Sequence, residues 1–253
     1  MMAKWVEAGL WGLLSGTALV LGSLFGYYFK ISQKLVALIM GFGAGVLISA
    51  LSFELMDEAF TKGGFLAAAT GFIIGGLIYS GANYLLNSSG AKHRKRSGEQ
   101  QASEKEAPGS GMAIALGALL DGIPEAIAIG ISMIQGGAVS VATVIAIFIS
   151  NVPEGLSSSA GMKKAGRSKK FIFGIWTGIA LITSIASILG YSVFSHLSPA
   201  IIAGTIALAA GAILTMLADT MIPEAFEKGH NWVGIITVCG FLIAFMLSKW
   251  SEH

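Results

Sequence analysis

The chain has 253 residues, 54% of them hydrophobic and 12% charged, and a net charge of +2. A mean hydropathy of +0.75 excludes an ordinary soluble domain and fits a polytopic membrane protein. So small a net charge gives no reason to expect a nucleic-acid partner, and the single cysteine, Cys239, excludes a disulfide framework or a cysteine-rich metal site.

Eight apolar runs follow one another, each near the length that a bilayer core requires. They cover residues 8–29, 35–57, 64–86, 112–134, 138–160, 171–194, 200–222 and 231–249. The first has no clear small-residue cleavage site and reads as a span rather than a removed leader. Gly71, Gly75 and Gly76 on the third run suit a homodimer contact or close packing within one copy. Residues 87–111, rich in Ser, Lys, Glu, Gln and Gly, read as a flexible cytoplasmic loop inside a single domain covering 1–253. Gln135-Gly-Gly is so short that the fourth and fifth helices are expected to form a tight antiparallel hairpin.

Charge sets the expected orientation. Lys30, Lys34, Lys92, Arg94, Lys95, Arg96, Lys105, Lys163, Lys164, Arg167, Lys169, Lys170 and Lys228 fall on one side of the predicted spans. Only Lys4, Lys62 and Lys249 fall on the other. The positive-inside rule then puts both termini outside and the 87–111 loop in the cytoplasm. The run His93-Arg-Lys-Arg96 reads as a topology determinant in a solvated loop, since one histidine is a poor metal trap.

An internal repeat is visible. Glu58-Ala-Phe-Thr-Lys-Gly63 resembles Glu224-Ala-Phe-Glu-Lys-Gly229, an offset of 166, and Ala44-Gly45 matches Ala210-Gly211 at the same offset. Equivalent helices are separated by an odd number of spans, so the two copies are expected to be inverted. Inverted triplets are an architecture of secondary transporters, with substrate held near the midplane between them. Glu54 and Asp57 near the outer end of helix 2, and Asp219 and Glu224 near the inner end of helix 7, are candidates for an ion path.

Helices 4 and 5 lie outside this repeat and carry their own pair of segments, Asp121-Gly-Ile-Pro-Glu125 and Ser150-Asn-Val-Pro-Glu154. Asp121 and Glu125 share a helix face, as do Ser150 and Glu154. A charged residue at the bilayer centre costs roughly 2.5–3.5 kcal/mol, so three carboxylates together cost about 8–10 kcal/mol. A proline within each helix frees a backbone carbonyl. No lysine or arginine lies in helices 4 or 5 to neutralise the acids. The expected partner is therefore a divalent cation, or protons, in an oxygen-rich cage of Asp121, Glu125, Ser150, Asn151 and Glu154.

On these residues the chain resembles the ZIP family of divalent-metal transporters over nearly its whole length. That family has eight helices, external termini, a long cytoplasmic loop between helices 3 and 4, and inverted triplets around helices 4 and 5. Its helix 4 signature is His-Asn-x-Pro-Glu and its helix 5 signature is of the type His-x-x-Pro-Glu. Glu125 and Glu154 match those ligands in type. Asp121 and Ser150 stand where histidine, or at the second position histidine or glutamine, is usual. Asn151 replaces a position that is often acidic, and Gly122 replaces an asparagine that serves a second metal. Residues Leu181 to Tyr191 offer only Thr183, Ser184 and Ser187 where helix 6 commonly gives a glutamate. Ala209 to Leu214 and Met221 to Glu224 are similar to the family's helix 7.

The sequence thus leads to an all-α membrane protein of eight transmembrane helices, with an inverted repeat of helices 1–3 and 6–8 around a central helix 4–5 hairpin. The expected function is transport of a divalent metal into the cytoplasm, probed first with zinc and next with manganese or iron(II). Histidine-poor, carboxylate-rich sites suit the harder cations. The resemblance implies a bacterial cell membrane, no prosthetic group and no enzymatic activity. Two alternatives stand beside it: a transporter of another substrate with a vestigial metal site, and a membrane-embedded metal-dependent hydrolase.

Overall fold

The helix starts follow from local chemistry. Ser32, Ser140 and Ser168 each adopt an extended backbone, and each hydroxyl accepts the backbone N–H three residues on, from Leu35, Thr143 and Phe171. Pro199 opens another helix at its first turn, where no N–H is needed. The structure is a computed structural model that describes residues 2–95, 101, 103, 105–134 and 139–251. Two expectations, on Arg96 and on the Gln135-Gly-Gly break, fall outside the described residues.

The described residues form nine α-helices and no strand. They are α1 (Lys4–Tyr28), α2 (Gln33–Ala50), α3 (Asp57–Leu86), α4 (Ser110–Ser132), α5 (Val141–Lys164), α6 (Lys169–Phe194), α7 (Pro199–Met216), α8 (Ile222–Gly229) and α9 (Trp232–Ser251). Short π-helical stretches, Leu51–Met56, Asn87–Ala91 and Leu217–Met221, extend α2, α3 and α7.

Among the described residues, six segments are long and apolar enough to cross a membrane: Lys4–Tyr28, Gln33–Ala91, Ser110–Ser132, Lys169–Phe194, Pro199–Gly229 and Trp232–Trp250. The difference from eight has a physical origin. The second and third apolar runs fuse into the 59-residue segment Gln33–Ala91, which at 1.5 Å per residue would extend about 90 Å if straight. It is not straight, because Gly64 breaks it with φ 70° and ψ −178°, a backbone position open to glycine. The fifth run is α5, 24 residues long.

Many large apolar side chains point outward, although Trp176, Ile129 and Met162 are among those fully buried. Ile73, Leu77 and Ile78 on α3, Leu181, Ile185 and Leu189 on α6, and Ile235, Val238 and Leu242 on α9 are all exposed. The interior is rich in alanine and glycine, as expected where helices approach closely in lipid. The chain is thus an all-helical protein with the surface of an integral membrane protein.

Helices pair in a balanced pattern: α3 on α7 and α2 on α9, α1 on α5 and α6 on α4, with α1 against α6 across the middle. A β-carbon on Gly45 would overlap the Thr237 carbonyl of α9, and one on Gly211 would overlap the Phe72 carbonyl of α3. Gly71 and Gly75 sit in the same way against the Gly204 and Leu208 carbonyls of α7. These two glycines therefore serve packing within one copy. The 166-residue offset also recurs in the backbone. Leu51 and Leu217 each open a π-helical stretch. Gly64 and His230, each just after a Glu-Ala-Phe-x-Lys-Gly segment, both have positive φ.

Candidate functional site

Asp121 lies about halfway along α4 and Glu154 just past the middle of α5. Both helices continue through their prolines, Pro124 and Pro153. Asp121 and Glu125 are each 3% exposed and Glu154 is 6% exposed. Three acids are thus buried on two helices, as the sequence implies. What surrounds them differs from expectation in two respects.

First, α4 and α5 barely touch. The expected tight contact between antiparallel neighbours is replaced by separate partnerships, α4 with α6 and α5 with α1. Second, the gap between the two helices holds cations from the preceding loop. The Lys95 ammonium donates to Glu154 Oε2 at 2.9 Å and pairs with Asp121 Oδ2 at 3.1 Å. Arg94 Nη2 lies 3.3 Å from Asp121 Oδ1 and donates to the Tyr79 hydroxyl at 2.9 Å. The Tyr79 hydroxyl in turn donates to Asp121 Oδ1. Arg94 Nη1 donates to Asn83 Oδ1 at 2.9 Å.

The expectation of a solvated basic run is therefore corrected. Arg94 is 2% exposed and Lys95 1% exposed. Asn87–Ala91, assigned from sequence to a flexible loop, instead continues α3 as a π-helical stretch, and Gly90 (φ 96°) turns the chain back over α4. Gly117 on α4 makes room for Arg94, since a β-carbon there would overlap the guanidinium stem. Gln101 Nε2 holds the segment from the other side, donating to the Arg94 carbonyl at 2.9 Å and to the Ser158 carbonyl of α5 at 3.1 Å. Counting from the start of α4, Gly117 lies seven residues in, a depth of about 10 Å.

The electrostatic logic is direct. Buried carboxylates need compensating charge and hydrogen bonds. α4 has no cation and those of α5, Lys163 and Lys164, sit in its last turn, so the fold brings two from the loop to face three carboxylates. Asp121 has three partners and Glu154 has one. Glu125 makes no hydrogen bond or ion pair with any described residue, although Lys95, Glu154 and Asp121 all act on it electrostatically.

The remaining candidates are dispersed. Ser150 is buried, and its hydroxyl donates to the Ile147 carbonyl of its own helix at 2.9 Å. Asn151 is buried against α1, with Nδ2 donating to the Ser15 carbonyl at 3.2 Å. On α6, Thr183, Ser184 and Ser187 all donate to carbonyls of α1 (Gly12, Gly9 and Ala8) and so tie these two helices together. Glu54 accepts from Ser140, the cap of α5, and from Ser248 on α9. Asp57 and Asp219 are exposed, and Glu224 is buried at 8% exposure. Among the described residues, no group of three or more His, Cys, Asp or Glu side chains is gathered closely enough to hold a metal ion. With the Lys95 ammonium between them, Asp121 and Glu154 each face a cation already.

Sequence reasoning missed Arg94, Lys95, Tyr79, Asn83 and Gln101. One signal was available. Three buried acids with no cation beside them on their own helices required a partner, and the basic run His93-Arg-Lys-Arg96 lies in the segment that leads into α4. No family model matches the chain, and no curated protein matches it.

Proposed function

We propose that this protein is a secondary transporter for a divalent metal cation, with eight crossings arranged as two inverted triplets about α4 and α5. Gln33–Ala91 counts as two crossings joined at Gly64, and α5 as a crossing of the same length as its neighbours. The recurrence of π-helical stretches and positive-φ turns at the 166-residue offset supports the repeat. The reading keeps the ZIP-like expectations of external termini, a bacterial cell membrane and passage of metal into the cytoplasm.

The observation that carries the proposal is the burial of Asp121, Glu125 and Glu154 on the two helices that flank Arg94 and Lys95, each with a proline one residue before its glutamate. Carboxylates at this depth are rare without a transport role. In this mechanism the metal sheds most of its water between α2, α4, α5 and α7 and draws Asp121, Glu125 and Glu154 together around itself, since in the described arrangement they are not gathered closely enough to hold it. Asn151 and Ser150 turn into the site only if their present bonds to Ser15 and Ile147 open. One helix group then rocks against the other to change access. Zinc is the first cargo to test. The lack of histidine on α4 and α5 puts manganese and iron(II) close behind.

The test is uptake of zinc, manganese and iron(II) into vesicles containing the purified protein and a trapped metal indicator. Glu125→Ala and Glu154→Ala are expected to lose uptake while eluting as folded protein. Wild-type uptake in both variants would sink the proposal. A second reading draws on the Lys95 bridge: the acids are fixed counter-ions and the protein carries a different substrate. In that case no divalent metal raises the melting temperature of the purified protein.

A further inference from the structure

The two cations from the loop match a divalent metal in charge and compete with it for the same oxygens. Lys95 occupies one oxygen each of Asp121 and Glu154, and Arg94 faces both oxygens of Asp121 within 3.5 Å. We propose that Arg94 and Lys95 form a tethered plug that stands in for one divalent cation at Asp121 and Glu154, and that metal binds there only by displacing it. The proposal rests on the transporter reading and adds a form of self-inhibition to it.

Charge balance makes the exchange feasible. Two tethered unit charges leave as one double charge arrives, so the carboxylates face the same compensation before and after. Withdrawal without replacement would leave buried acids uncompensated, which is the costly state. Metal can therefore shift the equilibrium by as much as it binds the vacated site better than the plug does. Glu125, which the plug leaves without a direct partner, gives an arriving ion its first oxygen ligand. The plug is held by short-range contacts that can open together: the Gln101 amide on the Arg94 and Ser158 carbonyls, and Asn83 on the guanidinium. Lys92, three residues before Lys95, is already exposed.

The test is amine labelling of the full-length protein in detergent, read peptide by peptide by mass spectrometry, with Lys92 as the internal reference. Without metal, Lys95 is expected to label many-fold less than Lys92. Manganese or zinc is expected to raise Lys95 labelling in a saturable way, and magnesium or sodium is not. Glu125→Gln should remove that metal response. Gln101→Ala, which removes the amide from the Arg94 and Ser158 carbonyls, should raise Lys95 labelling in the absence of metal and lower the metal concentration at half-response several-fold. Lys95 labelling that stays unchanged with manganese and zinc overturns the plug. If vesicles take up metal in that case, the transporter reading survives. Metal-driven labelling without any uptake supports the plug as a metal-displaced contact and removes the transporter reading instead.

Discussion

The segments Asp121–Glu125 on α4 and Ser150–Glu154 on α5 have the same spacing and the same internal proline, yet the fold treats them differently. On α4 the first residue of the segment takes the cations: Asp121 meets Arg94, Lys95 and Tyr79, while Glu125 has no hydrogen-bond partner among the described residues. On α5 the last residue takes them: Glu154 meets Lys95, while Ser150 bonds back to its own helix. The cations thus lie diagonally across the pair. A sequence motif fixes where acids sit along a helix. It does not fix which of them receives a partner, because here the partner comes from a segment outside both helices.

The largest test of this diagonal is Lys95→Ala. It removes the one group shared by both segments and leaves Asp121 with Arg94 and Tyr79, and Glu154 with no paired cation among the described residues. Breaking a buried pair from one side costs about 3–5 kcal/mol, so thermal melts in detergent should show a large loss of stability. The double variant Lys95→Ala/Glu154→Gln should recover part of that loss. A Lys95→Ala melt equal to wild type would mean that the ammonium is not buried between the acids.

Gly117→Ala is expected to come next. Its added methyl collides with the Arg94 side chain, and overpacking of this kind costs about 1–3 kcal/mol. The loss should shrink in an Arg94→Ala background, where the three atoms nearest the methyl are gone. Equal losses in both backgrounds would place the collision elsewhere.

The two acids that end the segments give the sharpest contrast. Glu125→Gln is expected to hold or raise the melting temperature, since it neutralises a buried carboxylate that has no hydrogen bond or ion pair among the described residues. The same change at Glu154 removes the charge that faces Lys95 and should destabilise clearly. The smallest loss belongs to Ser150→Ala, about 0.5 kcal/mol, the low end for one intramolecular hydrogen bond, because its hydroxyl only doubles up on a carbonyl of its own helix. A larger loss of metal uptake than of stability in Ser150→Ala would restore Ser150 as a ligand.

Much of the fold was legible in the sequence for a simple reason. Apolar length and polar breaks are local properties, and they placed most helix ends within a few residues. The repeat was legible too, since Glu58–Gly63 and Glu224–Gly229 carry it as charged residues inside apolar sequence, where matches stand out. Two things were not legible. One is that the polar stretch Glu58–Gly63, which separates the second and third apolar runs, is itself helical, so the chain turns at Gly64 without a loop. Part of the 87–111 segment looked like solvated chain because its residues are polar, although polar residues also line buried sites when opposite charges wait there.

The sequence by itself determined that this is an all-helical, membrane-type protein with three acids and two prolines deep in its fourth and fifth helices. Helical periodicity and hydropathy are enough for that, since each depends only on near neighbours along the chain. Only the tertiary structure decided what those acids face. The compensation of a buried charge is non-local: it is settled by whichever cation the fold can bring within about 3 Å, and here Gly90 and Gly117 let the chain deliver Arg94 and Lys95 to Asp121 and Glu154.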